Sequence, residues 1–260
     1  MITSLANKMI KDAAALKKPG ERRKSGLILI DGLREIKMAL RAKTEITTLF
    51  YCLGLITEET EIFNLIASEK RIEVSAAVFR KICYKESPDG FLAIAKPKEK
   101  NLSSLKLSDN PLVMILEDVE KPGNLGGIIR TAYAAGIEAI LINSGQTDIY
   151  NPNVIRASEG YVFIENIVSA SITETVAWLK KSKIKSFGAA TSGKKIYTEA
   201  DFREPAAILL GSEADGLSEK WLKEAGQLIR IPMQAGIDSL NVSVSAAIII
   251  YEAVRQRAVR

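Results

Sequence analysis

The chain has 260 residues, 47% of them hydrophobic, a net charge of +5 and no histidine. That size and apolar content suit one large or two ordinary folded domains and exclude a disordered chain. Without imidazole, Ser-His-Asp chemistry and histidine-ligated metal sites are also excluded, so carboxylates, Lys, Arg, Tyr, Cys or a cofactor must supply any reactivity.

The charge is unevenly placed. Residues 1–25 hold Lys8, Lys11, Lys17, Lys18, Arg22, Arg23 and Lys24 against Asp12 and Glu21, so this segment carries the whole net charge. A basic arm on a neutral body suits contact with a phosphate backbone; a solvated amphipathic helix would look the same. The N-terminus lacks an apolar signal core, and the longest apolar runs, such as 246–251, are too short to span a bilayer. A soluble cytoplasmic protein is expected. Cys52 and Cys83 make neither a metal-ligand cluster nor a disulfide framework, in keeping with a reducing compartment.

In chain order, strand-like GLILIDG (26–32) precedes helix-like LREIKMALRAK (33–43), and TTLFYC (47–52) precedes a helical TEETEIFNLIAS (57–68). RIEVS (71–75), a short helix AAVFRKI (76–82) and FLAIAKP (91–97) complete a small α/β unit. KPKEKNLSSLKLSDNP (96–111) reads as a linker or an ordinary surface loop, being polar with a proline near each end. PLVMILEDV (111–119) is a continuous apolar strand of the kind buried on both faces in a parallel sheet. AILIN (139–143), SFGAA (186–190), AAILLGS (206–212) and LIRIPM (228–233) follow, with helices between them. This order predicts a parallel sheet with helices on both sides. The expected division is a domain at 1–98, a linker at 99–110 and a second domain at 111–260.

In open parallel sheets, ligands sit beyond the carboxyl ends of the strands. Three such ends have unusual composition. In LEDVEKPGNLGGIIRTAYAAG, Pro122-Gly123 predicts a turn, Asn124 a helix N-cap, and Gly126-Gly127 a close backbone approach. The G-x-x-G-G spacing departs from the dinucleotide-binding G-x-G-x-x-G. Arg130 lies in a helix of mostly small and apolar residues, so it must face a partner, a cleft or water. In AAILLGSEADGLSEKWLKEAG, the strand ends near Gly211, Glu213 follows, and Ser218 can cap a helix starting near Glu219.

RIPMQAGIDSLNVSVSAA is the third. From Leu240 to Val244 it alternates like a strand, but Pro232 ends the preceding strand and 234–238 form a loop. Ser239, Asn241 and Ser243 favour a helix start, and the apolar run beyond them predicts a buried helix with Arg255 and Arg257 near its C-terminus.

NLGGIIRTA, LLGSEADGL and IPMQAGIDSLNVSVSAA resemble, in order and spacing, the three signature motifs of the SpoU (TrmH-like) family. These are S-adenosylmethionine-dependent RNA 2′-O-ribose methyltransferases of the SPOUT superfamily. The resemblance spans about residues 111–256 and includes NPNVIRASEGYVF (151–163). ITSLANKMIKDAAALKK and RRKSGLILIDGLREIKMAL resemble the opening of the ribosomal-protein-like substrate-binding domain found ahead of many members.

The resemblance implies a C-terminal parallel α/β domain threaded into a trefoil knot, a smaller N-terminal α/β RNA-binding domain, and a homodimer with the active site near the subunit interface. It implies S-adenosyl-L-methionine held at Gly211, Ile231 and Leu240, catalytic positions at Asn124, Arg130, Glu213, Ser239 and Asn241, and no metal. Arg130 is often given the role of base in the family. An arginine is effectively always charged, so phosphate binding and alkoxide stabilisation are the alternative. A separate recognition domain points to structured RNA, with ribosomal RNA expected ahead of transfer RNA. A catalytically silent RNA-binding protein is the competing class.

Overall fold

The computed structural model describes residues 1–57, 61–143, 148–164 and 166–258. Along the chain run α1 (Lys8–Ala15), α2 (Pro19–Ser25), β1 (Ile28–Asp31), α3 (Leu33–Arg41), β2 (Glu45–Tyr51), α4 (Ile62–Leu65), β3 (Arg71–Glu73), α5 (Ala76–Ile82) and β4 (Phe91–Lys96). They are followed by β5 (Leu112–Glu117), α6 (Pro122–Ala135), β6 (Ala139–Asn143), α7 (Pro152–Ala157), β7 (Ile167–Ser169), α8 (Ile172–Lys181) and β8 (Lys185–Ala189). The chain ends with β9 (Lys195–Ile196), β10 (Ala206–Leu210), α9 (Glu219–Glu224), β11 (Gln227–Arg230) and α10 (Val242–Ala258). Two units result: residues 1–98 with 148–164, and the remaining described residues.

The first unit is built on a four-stranded sheet of order β1-β4-β2-β3, with β4 antiparallel to both neighbours and β3 parallel to β2. Leu29, Phe50, Val78, Phe79 and Leu92 fill its core. The helix expected over 57–68 is found only as α4; residues 58–60 lie outside the described residues.

The basic N-terminal segment is not a free arm. Ile10 and Ala13 of α1, one turn apart, are buried in the core together with Leu16, while Lys8 and Lys11 face outward. Arg22 is buried: it donates to the Leu16 carbonyl (2.6 Å) and pairs with Asp148. Lys17 Nζ donates to the carbonyls of Lys81 (3.0 Å) and Cys83 (2.6 Å). Lys8, Lys11, Lys18, Arg23 and Lys24 are the exposed bases of the segment. Deleting residues 1–25 would therefore remove core, and neutralising side chains is the cleaner test. Changing Lys8, Lys11, Arg23 and Lys24 together to Gln should reduce the slope of log K against log salt for RNA by close to one per lost phosphate contact. The melting temperature should hold. An unchanged slope in a titration from low to high salt would mean these bases are merely solvated.

Residues 148–164 were expected within the second domain, but they pack in the first unit for reasons that only tertiary contacts reveal. Asp148 receives Arg22, Glu159 receives Arg34, and Gly160 adopts φ +82° where an added Cβ would meet Met38 Cβ at 2.8 Å. Val162 and Phe163 are buried, and Tyr150 stacks on Phe163 with ring centroids 6.1 Å apart.

The second unit is a seven-stranded parallel sheet of order β7-β6-β5-β10-β8-β11-β9. Every position of β5, β6 and β10 is buried, as a sheet covered on both faces requires. β7 and β9 went unforeseen, being three and two residues long and too short to carry a period. Leu102, Leu105 and Leu107 pack against the core of Val113, Ile115, Leu141, Leu209 and Trp221. The segment expected as a linker at 99–110 thus belongs to this unit, its leucines spaced three and two apart without a recognisable run. α10 packs on α6 and β10. Its C-terminal end is tied down by Arg257, which donates to the carbonyls of Asn110, Pro111, Phe202 and Glu204. Arg255 pairs with Glu252.

Candidate functional site

A cleft of about 370 Å³ opens at the carboxyl edge of the second sheet, lined by the segments that follow β8, β10 and β11 and by the start of α10. β10 is an apolar run that ends when Gly211 lets the chain double back. A Cβ at Gly211 would lie 2.0 Å from the carbonyl carbon and oxygen of Gly216 and 2.3 Å from the Leu217 nitrogen. Ser212 and Gly216 exchange two backbone hydrogen bonds (3.0 and 3.1 Å), and Ser212 Oγ accepts the Asp215 N–H at 3.0 Å. The 211–216 loop is therefore closed on itself. Beyond it Ser218 caps α9, accepting the Trp221 N–H at 3.4 Å.

After β11 the chain leaves the sheet, and Arg230, Ile231, Met233, Asp238, Ser239 and Leu240 line the cleft. The alternation from Leu240 to Val244 is a helix entrance: α10 begins at Val242, and Asn241 Oδ1 accepts the Ser243 N–H (2.9 Å) and hydroxyl (2.6 Å). Gly211, Ile231 and Leu240 thus border one cavity together with Glu213 and Ser239.

Asn124 does not cap its helix. α6 starts at Pro122 with Lys121 at the N-cap, placing Asn124 in the first turn with its amide directed elsewhere. Its Nδ2 donates to Glu213 Oε1 at 2.6 Å, and its Oδ1 accepts from Asn241 Nδ2 at 3.0 Å. The sense of this relay is fixed from the Ser243 end. A backbone N–H can only donate, so Asn241 turns Oδ1 to Ser243 and Nδ2 to Asn124 Oδ1, which leaves Asn124 Nδ2 for Glu213. Three loops distant in sequence are joined by the residue types expected there. At Gly127 the close approach expected is not found: an added Cβ would make ordinary contact with Ser243 Cβ at 3.7 Å. Arg130 is exposed on α6 and does not line this cleft.

One lining segment escaped the sequence reading. Ala189, the last residue of β8, and Ala190, Thr191 and Ser192 after it line the cleft, and Gly193 sits so close that a Cβ would meet the Ile229 carbonyl carbon at 2.6 Å. The signal was present as Thr-Ser-Gly at the end of an apolar strand, a fourth strand end like the other three. The lining holds Glu213, Asp215 and Asp238 against Arg230, an anionic balance that favours a cationic ligand.

The family model for SpoU rRNA methylases matches residues 111–251, more than half of the chain. The chain belongs to the SpoU rRNA methylase family. The SpoU match runs straight through 148–164, so the sequence boundary of the family and the packing boundary differ. An MRM3-like substrate binding domain matches residues 7–93. A crystal structure of an RNA 2′-O ribose methyltransferase is similar at a TM-score of 0.85 and 40% identity, covering 99% of each chain. The AdoMet-bound rRNA methyltransferase from Sinorhizobium meliloti is similar at a TM-score of 0.89 and 29% identity, over 98% of this SpoU chain and 97% of its own. The Bacillus subtilis (strain 168) 23S rRNA (guanosine(2553)-2′-O)-methyltransferase RlmP is 29% identical over 251 residues, 96% of this chain and 97% of that protein.

Proposed function

We propose that this SpoU protein transfers the methyl group of S-adenosylmethionine to a ribose 2′-hydroxyl of ribosomal RNA. The observation that carries the reading is that the cleft and the Asn241–Asn124–Glu213 relay share Glu213, joining a ligand cavity to a fixed polar constellation. An anionic lining fits a sulfonium cation, and Gly211 leaves bare backbone at the cavity wall. When bound, the cofactor supplies an activated methyl, so the chain must position the ribose hydroxyl and ease the loss of its proton. Gly211, Ile231 and Leu240 hold the cofactor, and Ser239 shapes the pocket. Asn124 and Asn241 orient the nucleotide from fixed amides, anchored by Glu213. Arg130 binds the adjacent phosphate and stabilises alkoxide character on the 2′-oxygen.

The same reading includes a homodimer. Arg130 stands outside the cleft of its own chain, and α10, packed on α6, exposes Val244 (47%) and Tyr251 (50%) two turns apart on one side. A second copy seated there would cover this apolar face and bring Arg130 to the neighbouring cleft. Family membership supports a trefoil knot in the second unit and a cytoplasmic setting beside ribosomal RNA. Among the described residues, no helix is long and apolar enough to cross a membrane.

Incubation with labelled S-adenosylmethionine and either ribosomal or transfer RNA is expected to label the ribosomal RNA at one ribose. Label in transfer RNA alone would replace the substrate. RNA binding without transfer, and without cofactor binding, would leave a silent RNA-binding protein.

A further inference from the structure

β5 reads Leu-Val-Met-Ile-Leu and then ends in Glu117, a carboxylate only 4% exposed. A carboxylate at such a position is costly unless donors meet it. Glu117 Oε2 accepts the backbone N–H of Ser218 at 2.8 Å. Its register partner on β6 is Asn143, 5% exposed, whose Oδ1 accepts the Trp221 indole N–H at 3.2 Å. Asn143 in turn donates to the Ala170 carbonyl (2.9 Å) and to Thr175 Oγ1 (2.7 Å). Ser218 and Trp221 are the N-cap and third residue of α9. Two neighbouring polar strand ends therefore grip the first turn of the helix into which the cofactor loop runs.

The near end of that loop is held by β10 and by the contact of Gly211 with Gly216. Its far end at Ser218 is held by Glu117. Between them lie Gly211 and Glu213, so displacement at Ser218 moves the cavity wall and the anchor of the amide relay together. We propose that Glu117 is a positioning residue for methyl transfer: it touches no substrate, but by fixing Ser218 it sets the shape of the 211–218 loop.

This role rests on the cofactor reading above, and two readouts keep the two apart. Hydrogen exchange over 211–218 in the cofactor-free protein reports the anchor alone, while affinity for S-adenosylhomocysteine reports its consequence. Glu117→Leu should speed exchange and raise the Kd by about tenfold, the cost of one lost buried hydrogen bond. Glu117→Gln keeps an acceptor oxygen and should remain within about threefold on both readouts. RNA binding should be unchanged, and at saturating cofactor kcat should recover more than KM. Should the leucine variant fail to fold, Glu117→Asp keeps a carboxyl group but falls one methylene short of Ser218. It should then weaken cofactor binding about fivefold, within the same range. A folded leucine or aspartate variant with wild-type exchange and affinity would overturn the proposal. A glutamine variant as impaired as leucine would do the same.

Discussion

Replacing Arg130 with lysine is expected to lower methyl transfer by about a hundredfold or more at every pH tested, while cofactor affinity stays at the wild-type level. Deprotonating an arginine at pH 7 spans about five units, or roughly 7 kcal/mol, which makes it a poor base. Its planar fork is instead suited to gripping phosphate at two points, a geometry that lysine cannot reproduce. Lysine, with a reference pKa of about 10.4, is the more accessible base. If proton removal by this side chain limited the rate, the variant would stay active and its rate would climb with pH. Near-normal turnover in alkaline buffer would therefore show the electrostatic role to be wrong. Cofactor binding is expected to persist because Arg130 does not line the cleft of its own chain.

Gly211→Ala should weaken S-adenosylhomocysteine binding by about a hundredfold or more and reduce turnover with it. The added methyl would stand 2.0 Å from main-chain atoms of Gly216, which no side-chain rearrangement relieves. The loop must open, breaking the Ser212–Gly216 hydrogen bonds and carrying Glu213 away from Asn124. Gly123→Ala is the matched control. It lies in α6 with nothing within 4 Å of its Cβ position, and in a helix alanine is favoured over glycine by up to about 1 kcal/mol. Calorimetric titration of both variants decides the matter: an alanine at 211 that binds with wild-type affinity removes the case for a backbone-lined pocket.

The site was legible in sequence wherever its chemistry is local. Asn241 and Ser243 sit two residues apart because one side chain caps the other's backbone, and that spacing survives in any context. Ser218 caps α9 for the same reason. Asn124 is expected as an N-cap from its local sequence, but its amide answers to Glu213 and Asn241, 89 and 117 residues away. The Thr191-Ser192 wall carries the same strand-end signal as the other three loops, but Thr-Ser-Gly is also the composition of an ordinary turn. Most of the fold followed from apolar runs such as Leu112–Leu116. Leu102, Leu105 and Leu107 were read as linker because their burial depends on a sheet built largely from later residues. Residues 148–164 fall within the SpoU match by sequence yet pack in the first unit, a packing that sequence does not show because Arg22–Asp148 closes over 126 residues.

That last separation bears on synthesis. The first unit seals Arg22 and the core beside α1 with a segment translated long after its own sheet is complete. Chains grow at about 5–20 residues per second, so the 126 residues between Arg22 and Asp148 take roughly 6–25 s to appear. Once β4 ends at Lys96 the nascent first unit has its four strands, but until the later segment is made it lacks the partner of Arg22 and the cover supplied by Val162 and Phe163. Strands β5 and β6 emerge in the meantime, apolar at nearly every position and without β10 to pair with β5. The nascent chain therefore presents two incomplete sheets at once, and its period of greatest exposure to aggregation or chaperone capture falls in the middle of translation.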